Sequence, residues 1–142
     1  MALAYSNQGE LGKPAKDFVL PGVDGKNYRL SDFARAKALV VIFMCNHCPY
    51  VIAVQDRINN LARNYGTKGV KVVGINSNDS VKYPDDSFEA MKKRAQEQEF
   101  IFPYLHDENQ ETARLYGAVC TPDIYAYENS RVVLLPLHWR QK

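Results

Sequence analysis

Seven consecutive apolar residues, Ala38 to Met44, run without interruption into Cys45-Asn46-His47-Cys48-Pro49. A continuous apolar run of that length suits a strand covered on both faces, at the centre of a sheet rather than at its edge. Beyond Pro49 the apolar positions change period. Val51, Val54, Ile58, Leu61, Ala62 and Tyr65 fall at steps of three and four on one helix face, with Pro49 in the first turn and Gly66 as the expected C-terminal cap. The junction therefore delivers two thiols, three positions apart, to the start of a helix. The expectation is that Cys45 lies exposed there, its sulfur near unpaired backbone N–H groups and the positive end of the helix dipole, which favours the thiolate. A thiolate is the nucleophile of disulfide exchange and a neighbouring thiol is its resolving group, so the pair reads as redox chemistry.

The flanking segments supply the rest of an α/β domain. Asp17-Phe-Val-Leu20, the turn Pro21-Gly-Val-Asp-Gly25 and Tyr28-Arg-Leu30 predict an N-terminal hairpin, followed by a short helical turn at Ser31-Asp-Phe33. Val70 to Ile75 is a second buried strand, and strand, helix, strand makes a parallel crossover unit. Asp86, three before Glu89, predicts a capping box opening a helix that turns Phe88, Met91 and Ala95 inward and Lys92, Lys93 and Glu97 outward. An extended segment at Pro103 to His106, a short helix from Asn109 to Tyr116 ended by Gly117, and a closing hairpin follow. That hairpin comprises Pro122 to Tyr127, a Glu128-Asn-Ser130 turn and Val132 to Leu135.

Composition narrows the function classes. The 142 residues are 46% hydrophobic and 24% charged, the profile of one globular domain spanning residues 1–142 with a core of its own. Lys plus Arg outnumber Asp plus Glu by only 18 to 16, and scattered, which argues against nucleic acid and acidic membrane surfaces as partners. No apolar stretch approaches the roughly 20 residues that span a bilayer. The first ten residues carry neither a basic nor an apolar leader region, so the expected location is cytoplasmic. In that compartment three cysteines do not make a structural disulfide framework, which leaves catalysis or metal binding.

Three stretches together resemble the thioredoxin-like superfamily, in its branch of alkyl hydroperoxide reductase and thiol-specific antioxidant domains. They are Asp17-Phe-Val-Leu-Pro with Asp24-Gly25 and Leu30-Ser-Asp-Phe33, then Cys45-Asn-His-Cys-Pro49, then Tyr116-Gly-Ala-Val-Cys-Thr-Pro-Asp123, covering about residues 9 to 135 in the family's order. The resemblance implies a central mixed sheet flanked by helices, with an N-terminal β-hairpin. It implies Cys45 as nucleophile, Cys48 as resolving thiol, and a cis Thr121–Pro122 bond set against the pair, leaving the Thr121 backbone to position a thiol substrate. It implies no organic cofactor and no metal. By the same resemblance, the expected substrates are protein or small-molecule disulfides and thiols, with electrons expected from a separate dithiol protein.

The chain also departs from that pattern. Leu39 stands where thioredoxins carry a buried Asp six residues before the first cysteine, so proton transfer must use another group or a water. Ile42 stands where peroxidatic cysteines have a Thr three residues earlier, which weakens a peroxidase reading. After Leu135 the sequence does not look like the family's C-terminal helix; apolar surface from Val132 to Trp139 is then expected, and a homodimer is one way to cover it.

Thiol-disulfide exchange by Cys45 and Cys48 is the leading function, with a peroxiredoxin-like peroxidase and a noncatalytic redox-sensing or metal-binding module as alternatives. A zinc set drawn from Cys45, His47, Cys48 and Cys120 suffers because His47 lies between the two thiols. His47 and Asn46, the residues between the cysteines, are expected to tune the couple, His47 by stabilising the Cys45 thiolate. Cys120 is either a small buried apolar residue or a third thiol. His106, His138 and the tyrosines at 104, 116, 125 and 127 read as ordinary strand, tail and packing residues, and Arg114 as an outward helix residue.

Overall fold

Alternation along the central strand decides the architecture. In the computed structural model, which describes residues 14–118, 121–130 and 133–136, the strands are β1 (Val19–Pro21), β2 (Asn27–Arg29), β3 (Ala38–Phe43), β4 (Val70–Asn76), β5 (Tyr104–His106), β6 (Asp123–Ser130) and β7 (Val133–Pro136). The helices are α1 (Pro49–Gly66), α2 (Phe88–Glu97) and α3 (Glu111–Tyr116). Successive side chains of β3 point to opposite faces. Leu39, Val41 and Phe43 enter one core with Phe18, Leu20 and Tyr116, beneath the hairpin and α3. Val40, Ile42 and Met44 enter a second core with Val51 and Ile58 of α1 and Met91 of α2. A run apolar at every position is thus what a two-sided sheet requires, and each fully buried aliphatic contributes on the order of 2 kcal/mol.

The main sheet has the order β5-β4-β3-β6-β7, with β3 parallel to β4, β4 parallel to β5, and β6 antiparallel to both β3 and β7. The predicted hairpin is present as β1 and β2, paired antiparallel from Val19 with Arg29 to Pro21 with Asn27. The predicted helical turn is a 3-10 turn at Leu30–Phe33. This is the mixed, helix-flanked sheet of the thioredoxin-like class. Among the described residues no helix is long and apolar enough to cross a membrane.

Several local expectations shift. Gly66 is the last residue of α1 rather than a left-handed cap. Thr67 caps the helix in a right-handed conformation, and the glycine at positive φ is Gly69, at 88°. Gly117 does cap α3 as expected, with φ of 73°. The turn expected at Glu128 to Ser130 is still strand, because β6 continues pairing until Ser130 meets Val133. The expectations for Cys120, Val132, His138 and the segment after Pro136 concern positions outside the described residues, and with them go the missing helix and the dimer.

Candidate redox site

Strand β3 ends at Phe43 and α1 begins at Pro49, so the five intervening residues form a loop at the carboxyl edge of the parallel strands, where open α/β sheets place their sites. Cys48 is the N-cap of α1, in extended conformation, and Pro49 opens the helix. Cys45 therefore lies before the helix and not inside its first turn. Its sulfur is 3.5 Å from Thr121 Oγ1, and the Cys48 thiol donates to the Thr121 carbonyl oxygen at 3.5 Å. The Thr121–Pro122 bond is cis, as the resemblance implies. The Thr121 carbonyl thus accepts from the Cys48 thiol.

Two expectations about Cys45 are corrected. It is 1% exposed and Cys48 is 0% exposed, so neither thiol is presented to solvent. Burial pushes the Cys45 thiol up to about 11; the Thr121 hydroxyl and the Cys48 backbone N–H lower it, while the negative charge of Asp86 raises it further. Cys45 is consequently held as a thiol and not as a favoured thiolate.

Asp86 is the residue that sequence reasoning misplaced. The N-cap of α2 is its neighbour Ser87, whose Oγ accepts from the Ala90 N–H at 3.2 Å. Asp86, released from capping, is 0% exposed and turned into the redox loop. Its Oδ1 accepts from the Asn46 N–H at 2.6 Å and from Asn76 Nδ2 at 3.0 Å, while its Oδ2 accepts from Asn78 Nδ2 at 3.1 Å and pairs with His47 Nδ1. Burial raises the Asp86 carboxyl, but the hydrogen bonds from Asn46, Asn78, Asn76 and His47 outweigh it, and the net shift is downward. The carboxylate stays ionised beside Cys45.

The residues between the cysteines are held rather than free. Asn46 donates through Nδ2 to the Asp85 carbonyl at 2.7 Å and accepts from the Tyr104 hydroxyl at 2.9 Å. Tyr104 is more than packing, since its hydroxyl also receives a hydrogen bond from Asn76 Nδ2 at 3.2 Å. The His47 ring stacks on Tyr83 with centroids 4.7 Å apart. His47 thus spends Nδ1 on Asp86, the carboxylate whose charge opposes a Cys45 thiolate.

Sequence reasoning missed two further groups. Asp123, directly after Pro122, is 0% exposed; its Oδ2 accepts from the Tyr125 hydroxyl at 2.9 Å, and its Oδ1 has no partner among the described residues. His106, read as an ordinary strand residue, is buried and stacked on Phe88, with Nε2 unpartnered among the described residues. Arg114 is exposed and donates to the Asn109 carbonyl, as its outward position predicts.

The sequence pattern of the AhpC/TSA family matches residues 11–135. The thiol-disulfide oxidoreductase ResA of Bacillus thuringiensis subsp. konkukian is 24% identical over 132 residues, 93% of this chain and 72% of that relative. Among solved structures, an uncharacterized conserved protein from Geobacillus kaustophilus superposes with a TM-score of 0.90 at 47% identity, over 96% of this chain and 72% of the other. A hypothetical protein from Sinorhizobium meliloti 1021 gives 0.86 at 38% identity, over 91% and 70%.

Proposed function

The chain belongs to the AhpC/TSA family of thioredoxin-like proteins, and from that premise we propose that Cys45 and Cys48 are the working dithiol of a thiol-disulfide oxidoreductase. The observation that carries the assignment is the meeting of both sulfurs on Thr121, each 3.5 Å from one of its oxygens, beside a cis proline. In the reductive direction Cys45 gives up its proton and its sulfur attacks one sulfur of a substrate disulfide. The substrate S–S bond breaks, the departing thiolate takes a proton, and a mixed disulfide remains on Cys45. Cys48 then attacks the Cys45 sulfur and releases the second substrate thiol, leaving the Cys45–Cys48 disulfide. A separate dithiol protein returns the pair to its reduced form.

The acid-base group absent at Leu39 is supplied from elsewhere. His47, Asp86 and the Cys45 sulfur present donor atoms all within 4.8 Å of one another, an imidazole oriented by a buried carboxylate next to a thiol. His47 takes the Cys45 proton in this scheme, and Asp86 stabilises the imidazolium that results. The peroxidase alternative is weaker, because Ile42, 1% exposed in the core under α1, offers no hydroxyl where that chemistry uses a threonine.

The test is equilibration of the reduced protein with glutathione buffers of graded poise, followed by mapping of its disulfides. The expected product is a single Cys45–Cys48 bond that forms and breaks reversibly. If no such bond forms at any poise, the assignment fails.

A further inference from the structure

Beyond disulfide exchange, we propose that the reduced loop binds one divalent cation of the zinc type through Cys45 Sγ, a His47 ring nitrogen and an Asp86 carboxylate oxygen. Sequence alone offered only the two thiols, His47 and Cys120 as ligands, a poor set because His47 lies between the cysteines. Asp86 changes that set. The sulfur, nitrogen and oxygen donors of Cys45, His47 and Asp86 all lie within 4.8 Å of one another. A four-coordinate zinc with bonds of about 2.0 to 2.3 Å needs its donors roughly 3.3 to 3.7 Å apart, so the site closes when the Cys45 sulfur moves in while the hydrogen-bonded His47 and Asp86 atoms move apart to admit the ion.

The surroundings resemble those of a prepared ligand shell. Asn76 and Asn78 hold the Asp86 oxygens, and the Asn46 N–H fixes the same carboxylate to the loop that carries both other donors. Such outer hydrogen bonds orient ligands before an ion arrives. His47 Nδ1 and Asp86 Oδ2 already face one another as a hydrogen-bonded pair, and a cation takes the place of the proton between them. Cys45 releases its thiol proton on binding, and three protein ligands leave the ion one position for an exogenous donor. His47 is only half-buried, which gives the ion a route from solvent. A sulfur held on the ion is no longer free to attack a disulfide, so an occupied site is a resting form protected from oxidation. The inference stands on the donor set and does not depend on the exchange reaction.

Cobalt(II) titration of the reduced full chain tests it, since tetrahedral cobalt bound to thiolate gives intense visible and charge-transfer absorption. One equivalent is expected to bind, competitively with zinc, and both His47→Ala and Asp86→Asn are expected to weaken it by about tenfold or more. Absence of the thiolate band overturns the proposal, as does an affinity unchanged in the two variants, which would mark the dithiol as acting alone. Should Asp86→Asn fail to fold by circular dichroism, His47→Ala decides on the same criterion. Disulfide formation assayed on the same chelator-treated samples reports on the exchange reaction separately.

Discussion

His47 Nδ1 is paired with Asp86 Oδ2 across 39 residues of sequence, joining the loop between the cysteines to the segment that precedes α2. The pair holds a buried carboxylate beside the Cys45 thiol. The Asp86 charge opposes ionisation of Cys45, and the His47 imidazole is hydrogen-bonded to that same carboxylate.

Replacing Asp86 by Asn removes the negative charge that acts on Cys45 and turns one of the two accepting oxygens into a donor that faces the donors of its former partners. Stability is expected to fall by about 1.5 to 3 kcal/mol, the usual worth of buried hydrogen bonds to a charged group. The Cys45 thiol is expected to titrate lower than in the native protein. Urea unfolding and iodoacetamide rates against pH check the two effects, and an unchanged alkylation profile would remove Asp86 from the account of Cys45.

The alkaline behaviour follows from the Cys45 shift. Its folded value of about 11 lies above the ordinary 9.0, so its contribution to stability is fully present below pH 9 and is lost as pH rises toward 11. In chelator-treated protein the alkylation rate of Cys45 should climb about tenfold per pH unit from neutrality and level off only near the folded value. A plateau reached below pH 8 would contradict the buried, carboxylate-opposed thiol described here.

His106 contributes on the acid side. Burial lowers its folded value below 6.5, against the raising influence of Glu108, Asp107 and Asp86. Neutral His106 therefore contributes stability that is complete above pH 6.5 and is lost as pH falls through the lowered value. His106→Phe should keep the stacking on Phe88 while flattening the stability profile just below pH 6.5. Parallel profiles for the two proteins would show that His106 is not the group responsible.

Gly74 tests the packing behind the site. A Cβ there meets Met44 Sδ at 2.8 Å, Phe102 Cε2 at 3.1 Å and Tyr104 Cδ1 at 3.3 Å, the last being the ring whose hydroxyl supports Asn46. Gly74→Ala should cost about 1 to 3 kcal/mol through overpacking, read by thermal or urea unfolding. A neutral effect would mean that Met44 moves aside freely.

How much of this was legible in the sequence depends on whether local or tertiary rules decide each feature. The run from Ala38 to Met44 gave away the central strand because period and apolar character are local. The cysteine pair and the cis proline were legible through the family pattern. Asp86 was not, because two overlapping cap registers were available, Asp86 with Glu89 and Ser87 with Ala90, and local chemistry does not choose between them. Asn46, Asn76 and Asn78 chose, by offering three donors to a carboxylate turned inward. The available signal was the gathering of Asn76, Asn78, Asp85 and Asp86 just beyond a buried strand, where α/β sheets place sites. Burial of Cys45 was equally hidden, since its surroundings include Thr121, 76 residues away, and the core under α1.

The central claim is that Cys45 attacks and Cys48 resolves, and trapping tests it most directly. Reduced Cys48→Ser protein is incubated with a protein disulfide and the adducts are mapped by mass spectrometry, with Cys45→Ser treated in parallel. The account predicts a stable mixed disulfide on Cys45 in the first variant and none on Cys48 in the second. Adducts on Cys48 with Cys45 untouched, or equal residual turnover in both variants, would contradict it.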